Sequence, residues 1–165
     1  MSVDRPEVTA ASERLRAETT VPGLLGLTAR TFVELLDAPA CTISRVIGDL
    51  LVDLMGYRQS GKPDRLGHGY LISDYPLTRT VIEEREPRTV SLEDPNADPA
   101  EAALLRELGF GALLMAAIET GDGAWGLIEV YGEEGRRFVD GEVRMVRALA
   151  AETGRLIAEL ERPGP

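Results

Sequence analysis

The sequence predicts an α+β fold: an antiparallel sheet with helices collected mainly on one face. Three observations predict it. First, two apolar runs, Ala112 to Ile118 and Ala124 to Tyr131, flank Glu119-Thr120-Gly121-Asp122-Gly123. That connector holds an Asp-Gly pair, and glycine supplies the positive φ a tight hairpin turn needs. Second, the strand-length runs Cys41 to Ile47 and Leu50 to Tyr57 are separated by Gly48-Asp49, which is two-residue hairpin spacing. Third, the chain reads helix, two strands, short helix, strand, helix, two strands, long helix, an order that suits an antiparallel sheet with segregated helices.

In chain order, residues 1–21 read as an N-terminal helix or linker ahead of a domain over 22–162. Asp4 and Glu7 have capping-box spacing, and Val8, Ala11 and Leu15 form a narrow apolar stripe. The stripe is too thin to bury on a core by itself, which leaves a frayed end or half of an intermolecular helix pair. Pro22 suits the first turn of the next helix. There Leu24, Leu27, Thr31 and Leu35, flanked by Leu25, Phe32 and Leu36, make a stripe wide enough to pack on a sheet, and Pro39 ends it. In the first strand Cys41, Ile43 and Val46 are apolar, but the alternation slips near Arg45.

A polar loop, Gln59 to Asp64, leads to the flexible Gly67-His68-Gly69. Pro76 opens a short helix with Leu77, Thr80 and Val81 inward, and Pro87 closes it before a strand from Arg88 to Leu92. Asp98 as N-cap, Pro99 first in the helix and Glu101 completing the capping box start another helix, which Gly109 stops.

In the central hairpin the first run is apolar almost throughout, so both its faces should be buried. The second run places Leu127, Glu129 and Tyr131 on one face and Gly126, Ile128 and Val130 on the other. The sheet is expected to be covered on one side and partly open on the other. The final helix, Asp140 to Arg162, starts with Asp140 as its cap. It carries Val143, Val146, Ala150, Thr153, Ile157 and Leu160 as a heptad seam, with Met145, Leu149 and Leu156 as a second row.

Composition bounds the function. A chain of 165 residues that is 44% hydrophobic supports one domain with a full core. The net charge of −10 repels phosphate backbones, which argues against nucleic acid as a partner. No apolar run approaches the roughly 20 residues of a membrane span, and Asp4, Glu7 and Glu13 break any secretory-signal pattern. With Cys41 the sole cysteine there is no internal disulfide framework, and a cytoplasmic location is expected.

Four stretches carry a family resemblance: YPLTRTVIEEREPRTVSLEDP, ADPAEAALLRELGF, GALLMAAI…AWGLIEVYG and RRFVDGEVRMVRALAAETGRLIA. From about Gly23 to Leu160 the chain resembles a GAF domain, the small-molecule sensor module of bacterial and eukaryotic signalling proteins. The resemblance implies a GAF/PAS-like sheet of order 2-1-5-4-3, its strands numbered along the chain, with the N- and C-terminal helices on one face. A ligand pocket lies on the other face, roofed by about Leu66 to Gly109. It implies no particular cofactor. Cyclic-nucleotide binders of the family share an Asn-Lys-Phe-Asp-Glu signature, of which Phe138, Asp140 and Glu142 are a loose echo, and the single lysine, Lys62, is elsewhere. Bilin attachment needs a cysteine in the roof, whereas Cys41 starts the first strand. Heme needs an axial histidine, and His68 between two glycines reads first as a solvated loop residue. The methionine sulfoxide reductase members need several cysteines. No metal-ligand spacing, nucleophile elbow or phosphate loop occurs.

The expectation is a non-catalytic sensory or regulatory module that couples a small-molecule pocket to an output domain. Its rival is a structural dimerisation module with a collapsed pocket. The expected pocket comprises Ile43, Leu71, Tyr75, Leu92, Phe110, Met115 and Trp125, with Arg88, His68 and Ser73 as polar anchors. A homodimer is expected through the terminal helices. A helix of about 20 residues is about 30 Å long and a strand of about six residues about 20 Å, so the seam from Val143 to Leu160 overhangs the sheet.

Overall fold

The computed structural model describes residues 5–61 and 67–163. Within them the chain runs α1 (Arg5–Arg16), α2 (Val21–Leu36), β1 (Ala40–Ile47), β2 (Leu50–Arg58), β3 (Gly69–Leu71) and a one-turn 3-10 helix (Ile72–Asp74). It continues α3 (Pro76–Glu84), β4 (Arg88–Ser91), α4 (Pro99–Leu108), β5 (Ala112–Thr120), β6 (Gly123–Gly132) and α5 (Asp140–Leu160). The capping role expected of Asp4 and the start of the expected roof at Leu66 lie outside the described residues.

All six strands form one antiparallel sheet in the order β3-β2-β1-β6-β5-β4. The expected 2-1-5-4-3 order is present as β2-β1-β6-β5-β4, and Gly69–Leu71 adds a short strand at the β2 edge. Both faces are covered, which corrects the expectation of a partly open side. On one face Cys41, Ile43, Leu114, Ala116, Ile118, Ile128 and Val130 pack against α1, α2 and α5. On the other, Leu51, Leu113, Met115, Leu127 and Tyr131 meet Ile72, Val81 and Leu105 from the 3-10 turn, α3 and α4.

Two bulges decide which side chains reach which face. In the β1–β2 ladder Ile43 pairs with Met55 but Ser44 with Asp53, so Leu54 is the extra residue. Strict alternation would put Asp53 on the same face as Met55. One inserted residue reverses the parity and delivers it to the opposite face, beside Ser44. In the β5–β6 ladder Ile118 pairs with Gly126 but Glu119 with Ala124, leaving Trp125 as the extra residue. Trp125 therefore joins the helix-side core, where its Nε1 donates to Glu161 Oε1 at 3.2 Å.

The helix layer uses the apolar seam inside the chain. Val146, Ala150, Thr153 and Ile157 are at most 2% exposed, and Val143 and Leu160 pack at the margin of the same core. What covers them is α1 and α2 together with the sheet. The thin stripe on α1 is sufficient because Ala11 and Leu15 pack against two helices at once; both are buried. Val146, Ala150, Thr153 and Ile157 are thus consumed within one protomer, which corrects their assignment to a dimer interface, while Val143 and Leu160 stay half-buried. Thr153 Oγ1 lies 3.3 Å from Thr28 Oγ1, joining α5 to α2, and the backbone of Gly154 lies directly against Glu119 of β5.

At the start of α5, Val139 is the N-cap and Asp140 the first helical residue, a correction to the expected cap. Glu142 reaches back instead: its Oε1 accepts from the Val139 amide at 3.0 Å and its Oε2 from Arg136 at 2.5 Å. Arg136 also donates to the Leu36 carbonyl at 3.0 Å, which ties the end of α2 to the start of α5. In α3 it is Thr78, not Thr80, that turns inward. Thr80 stays at the surface side and donates to its own helix at Pro76 O.

Two substitutions test this packing. A Cβ at position 154 would overlap the Glu119 carbonyl, so Gly154→Ala should cost about 1–3 kcal/mol by forcing α5 away from β5, read in chemical denaturation. Ile157→Glu places a carboxylate in the core and should destabilise the monomer by about 4 kcal/mol or more. If that variant keeps its melting temperature and merely changes its sedimentation, the seam is an interface between chains after all.

Candidate ligand site

A small cavity of about 30 Å³, open to solvent at its mouth, lies between the sheet and the α3–α4 cover. Leu51 and Asp53 reach it from β2, Tyr70 from β3, and Glu129 and Tyr131 from β6. Ile72 and Tyr75 form one wall, and Thr78 of α3 with Glu101 and Leu104 of α4 form the cover. The β1–β2 turn anchors the wall: Asp49 accepts from the Ser73 amide at 3.0 Å and the Ser73 hydroxyl at 2.6 Å. Its carbonyl also takes the Ile72 amide at 2.8 Å.

The polar side chains are held by one another. Asp98 caps α4 as expected, accepting from the Glu101 amide at 3.1 Å. The Glu101 side chain does not turn back to complete a capping box. It enters the interior, where it is 1% exposed and accepts the Thr78 hydroxyl. The Tyr131 hydroxyl donates to Glu129 Oε2 at 3.2 Å, and Ser44 donates to Asp53 Oδ1 at 2.7 Å. Tyr70 and Tyr75 meet edge to face, their ring centroids 6.1 Å apart. Phe110 stacks on Tyr131 at 4.7 Å and fixes that ring from behind.

This setting alters the acids. Burial, reinforced by repulsion from Glu101 and Asp53, pushes the Glu129 carboxyl up to about 8, against a small opposing effect of its Tyr131 hydrogen bond. Burial likewise raises Glu101, partly offset by the hydroxyl of Thr78. Tyr70 and Tyr75 are raised by burial, with further repulsion from Asp53 and Glu101 respectively.

Of the residues expected in the pocket, Tyr75 lines the cavity. Met115 lies beneath it, its sulfur 3.4 Å from Thr78 Oγ1. Phe110 and Leu92 belong to the surrounding apolar cluster. Ile43 and Trp125 are on the opposite face, Trp125 because of the bulge in β6. Leu71 is exposed on the edge strand, and Ser73 is engaged by Asp49. His68 is exposed, its carbonyl accepting the Asp53 amide at 3.0 Å, and Arg88 pairs with Glu84 at 3.1 Å. Sequence reasoning missed Asp53, Tyr70, Thr78, Glu101, Glu129 and Tyr131 as cavity residues. The signal available was Glu129, a carboxylate in the middle of an otherwise apolar strand, which a buried face admits only at a cost. Cys41 is fully buried in the helix-side core. Among the described residues no group of three or more His, Cys, Asp or Glu is arranged to hold a metal, and no helix is long and apolar enough to cross a membrane.

Comparison with known proteins adds a family and a set of folds. The GAF domain family matches residues 22–157. No curated protein matches the sequence. Among solved structures, bacteriophytochrome RpBphP3 from R. palustris superposes with a TM-score of 0.83 at 16% identity, covering 94% of this chain and 38% of that one. The Stigmatella aurantiaca phytochrome photosensory core module gives 0.81 at 18% identity, over 94% of this chain and 36% of that one. A far-red-absorbing protein with bound biliverdin IXa gives 0.81 at 17% identity, over 94% and 99%. At these identities the likeness shows the fold alone. The chain spans well under half the length of the two phytochromes.

The buried acid yields a pH signature. A native carboxyl that titrates near 8, against the usual 4.5, holds a proton the unfolded chain has lost. Its contribution to stability is therefore complete below about pH 4.5 and declines as pH rises to about 8, by on the order of 1 kcal/mol per pH unit. Glu129→Gln keeps an acceptor for Tyr131 and removes the titration. Its melting temperature should gain on the unmutated protein progressively from pH 5 to 8; a constant difference across that range would place the titration elsewhere.

Proposed function

The chain belongs to the GAF domain family, and from that premise we propose that it is a non-catalytic sensory module that binds its ligand in the cavity between the sheet and α3–α4. The observation that carries the reading is the cavity itself. It lies on the sheet face opposite the terminal helices, and it is built from a rigid floor, β2 and β6, and a cover on short elements joined by loops. Convergent polar groups of perturbed acidity in a cavity mark a ligand site. A ligand that draws the cover down would act on β5 and β6, and α5 packs directly on β5. That gives a mechanical route from the pocket to the helices, along which an output domain would be controlled. A cytoplasmic setting suits a chain whose single cysteine, Cys41, is buried. Self-association through the terminal helices would use surface outside the buried Val146, Ala150, Thr153 and Ile157.

Biliverdin, which one of the similar structures contains, does not fit this lining. A bilin brings two propionate carboxylates, and the cavity meets them with Asp53, Glu101 and Glu129 and, among the described residues, with no basic lining side chain. The one thiol, Cys41, faces the other core and cannot form a thioether to a group held in the cavity.

The test is a small-molecule fragment screen on the full chain, read by backbone amide shifts. Binders should cluster at Tyr75, Thr78, Glu101 and Glu129. Leu104→Trp, at the partly exposed edge of the cover, should abolish those shifts while the melting temperature stays within a few degrees. Binders that map to the helix face, or that are indifferent to Leu104→Trp, would move the ligand site elsewhere.

A further inference from the structure

The lining of the cavity also defines the chemical class of what it receives, a step that rests on the cavity being the ligand site. Glu129 is 7% exposed and lines the cavity. Its Oε2 accepts from Tyr131, while among the described residues its Oε1 has no hydrogen-bond partner and no basic group stands within ion-pair distance. Glu101 and Asp53 bring two further carboxyls to the same space, the second already accepting from Ser44. Ionised carboxylates accept and never donate, so together they suit a donor-rich, positively charged group. The remaining wall is aromatic and apolar. Tyr70 and Tyr75 stand edge to face, and tyrosine faces attract cations within about 6 Å. A buried carboxylate without a counter-charge is costly, and a bound cation removes that cost.

We propose that the cavity binds a small organic cation, an alkylammonium compound whose charged head lies against Glu129 and whose carbon body lies against Tyr70, Tyr75 and Leu51. An anionic ligand meets three carboxyls, and a neutral one offers Glu129 no counter-charge.

Binding of such a ligand is linked to proton release. The groups facing Glu129 are Asp53 from β2, Tyr70 from β3, Tyr75 and Thr78 at the start of α3, Glu101 from α4 and Tyr131 on its own strand. Burial and repulsion from the acids among them keep Glu129 protonated up to about 8 in the empty cavity. A cation favours the ionised form. Its affinity should rise with pH by up to about tenfold per unit and level off above about pH 8.

The experiment titrates the full chain with propylammonium and choline chlorides, with n-propanol and neohexanol as their neutral counterparts, and with propionate. Amide shifts are followed between about pH 6 and 8. The expected result is saturable shifts at Tyr75, Thr78, Glu101 and Glu129 for the cations, with affinities at least about tenfold above the neutral counterparts and rising with pH. Glu129→Gln should weaken the cations about tenfold and flatten the pH profile while leaving the neutral probes unchanged, and Glu101→Gln should weaken them without flattening it. If the alcohols or propionate bind the cavity as tightly as the cations, or if Glu129→Gln leaves cation affinity intact, the cation assignment is overturned and the ligand site stands. Cation shifts scattered over the acidic surface overturn it as well. If no probe perturbs the cavity amides, both the assignment and the site reading fall.

Discussion

Strands β5 and β6 pair from Ala112–Gly132 to Thr120–Gly123 with both faces buried, so nearly every side chain along them must be received by one of two cores. The rest of the fold depends on that constraint. A sheet this deeply covered needs a helix layer on each side. α1, α2 and α5 provide one, and α3, α4 and the 3-10 turn provide the other. Each fully buried Leu, Ile, Val or Met contributes about 1.5–3 kcal/mol, which makes the two layers mutually reinforcing through the shared strands. The close seat of Gly154 on Glu119 shows how tightly the helix side is drawn down.

The same constraint gives the polar residues of the second face their meaning. A carboxylate at Glu129 sits opposite Thr42 and Met115 on the neighbouring strands, deep in a surface that elsewhere holds Leu127 and Leu113. Solvent cannot stabilise it there, so its acidity falls until a ligand or a proton compensates it. Glu101 and Asp53 come to the same space from two other elements, and each is held by a hydroxyl, Thr78 or Ser44. The helix side carries a different kind of polar pair, Thr28 with Thr153, in which each hydroxyl donates to its own helix and no charge is involved. One face is built for packing, the other for charge.

The contrast between the two faces also separates stability from sensing. The seam on α5 would make a serviceable coiled-coil stripe, but α1 and α2 occupy it, and the Arg136–Glu142 pair locks the entry to α5 against the end of α2. Over the cavity, the cover is made of a nine-residue and a ten-residue helix whose attachment to the floor is comparatively sparse. Short, locally tethered elements of this kind open at lower free energy than the central strands.

What the sequence determined by itself was the list of elements, their order and most of their ends. Hairpin glycines, Pro22, Pro76 and Pro99, the Asp98 cap and the Gly109 stop act within a few residues and need no tertiary context; Gly109 does take the left-handed φ of 84° that ends α4. Alternation along β6 also identified Glu129 and Tyr131 as neighbours on one face, although not as a site. Tertiary structure decided the rest. Single-residue bulges at Leu54 and Trp125 reversed the faces of Asp53 and Trp125, and a bulge is set by the partner strand's register, not by the bulged strand's own pattern. Glu101 reads locally as part of a cap, but a buried hydroxyl more than twenty positions away offered its side chain a better partner. The seam from Val143 to Leu160 was visible, whereas its occupant was not, because an apolar stripe records only that it must be covered. Which surface covers it depends on where α1, α2 and the sheet meet in space.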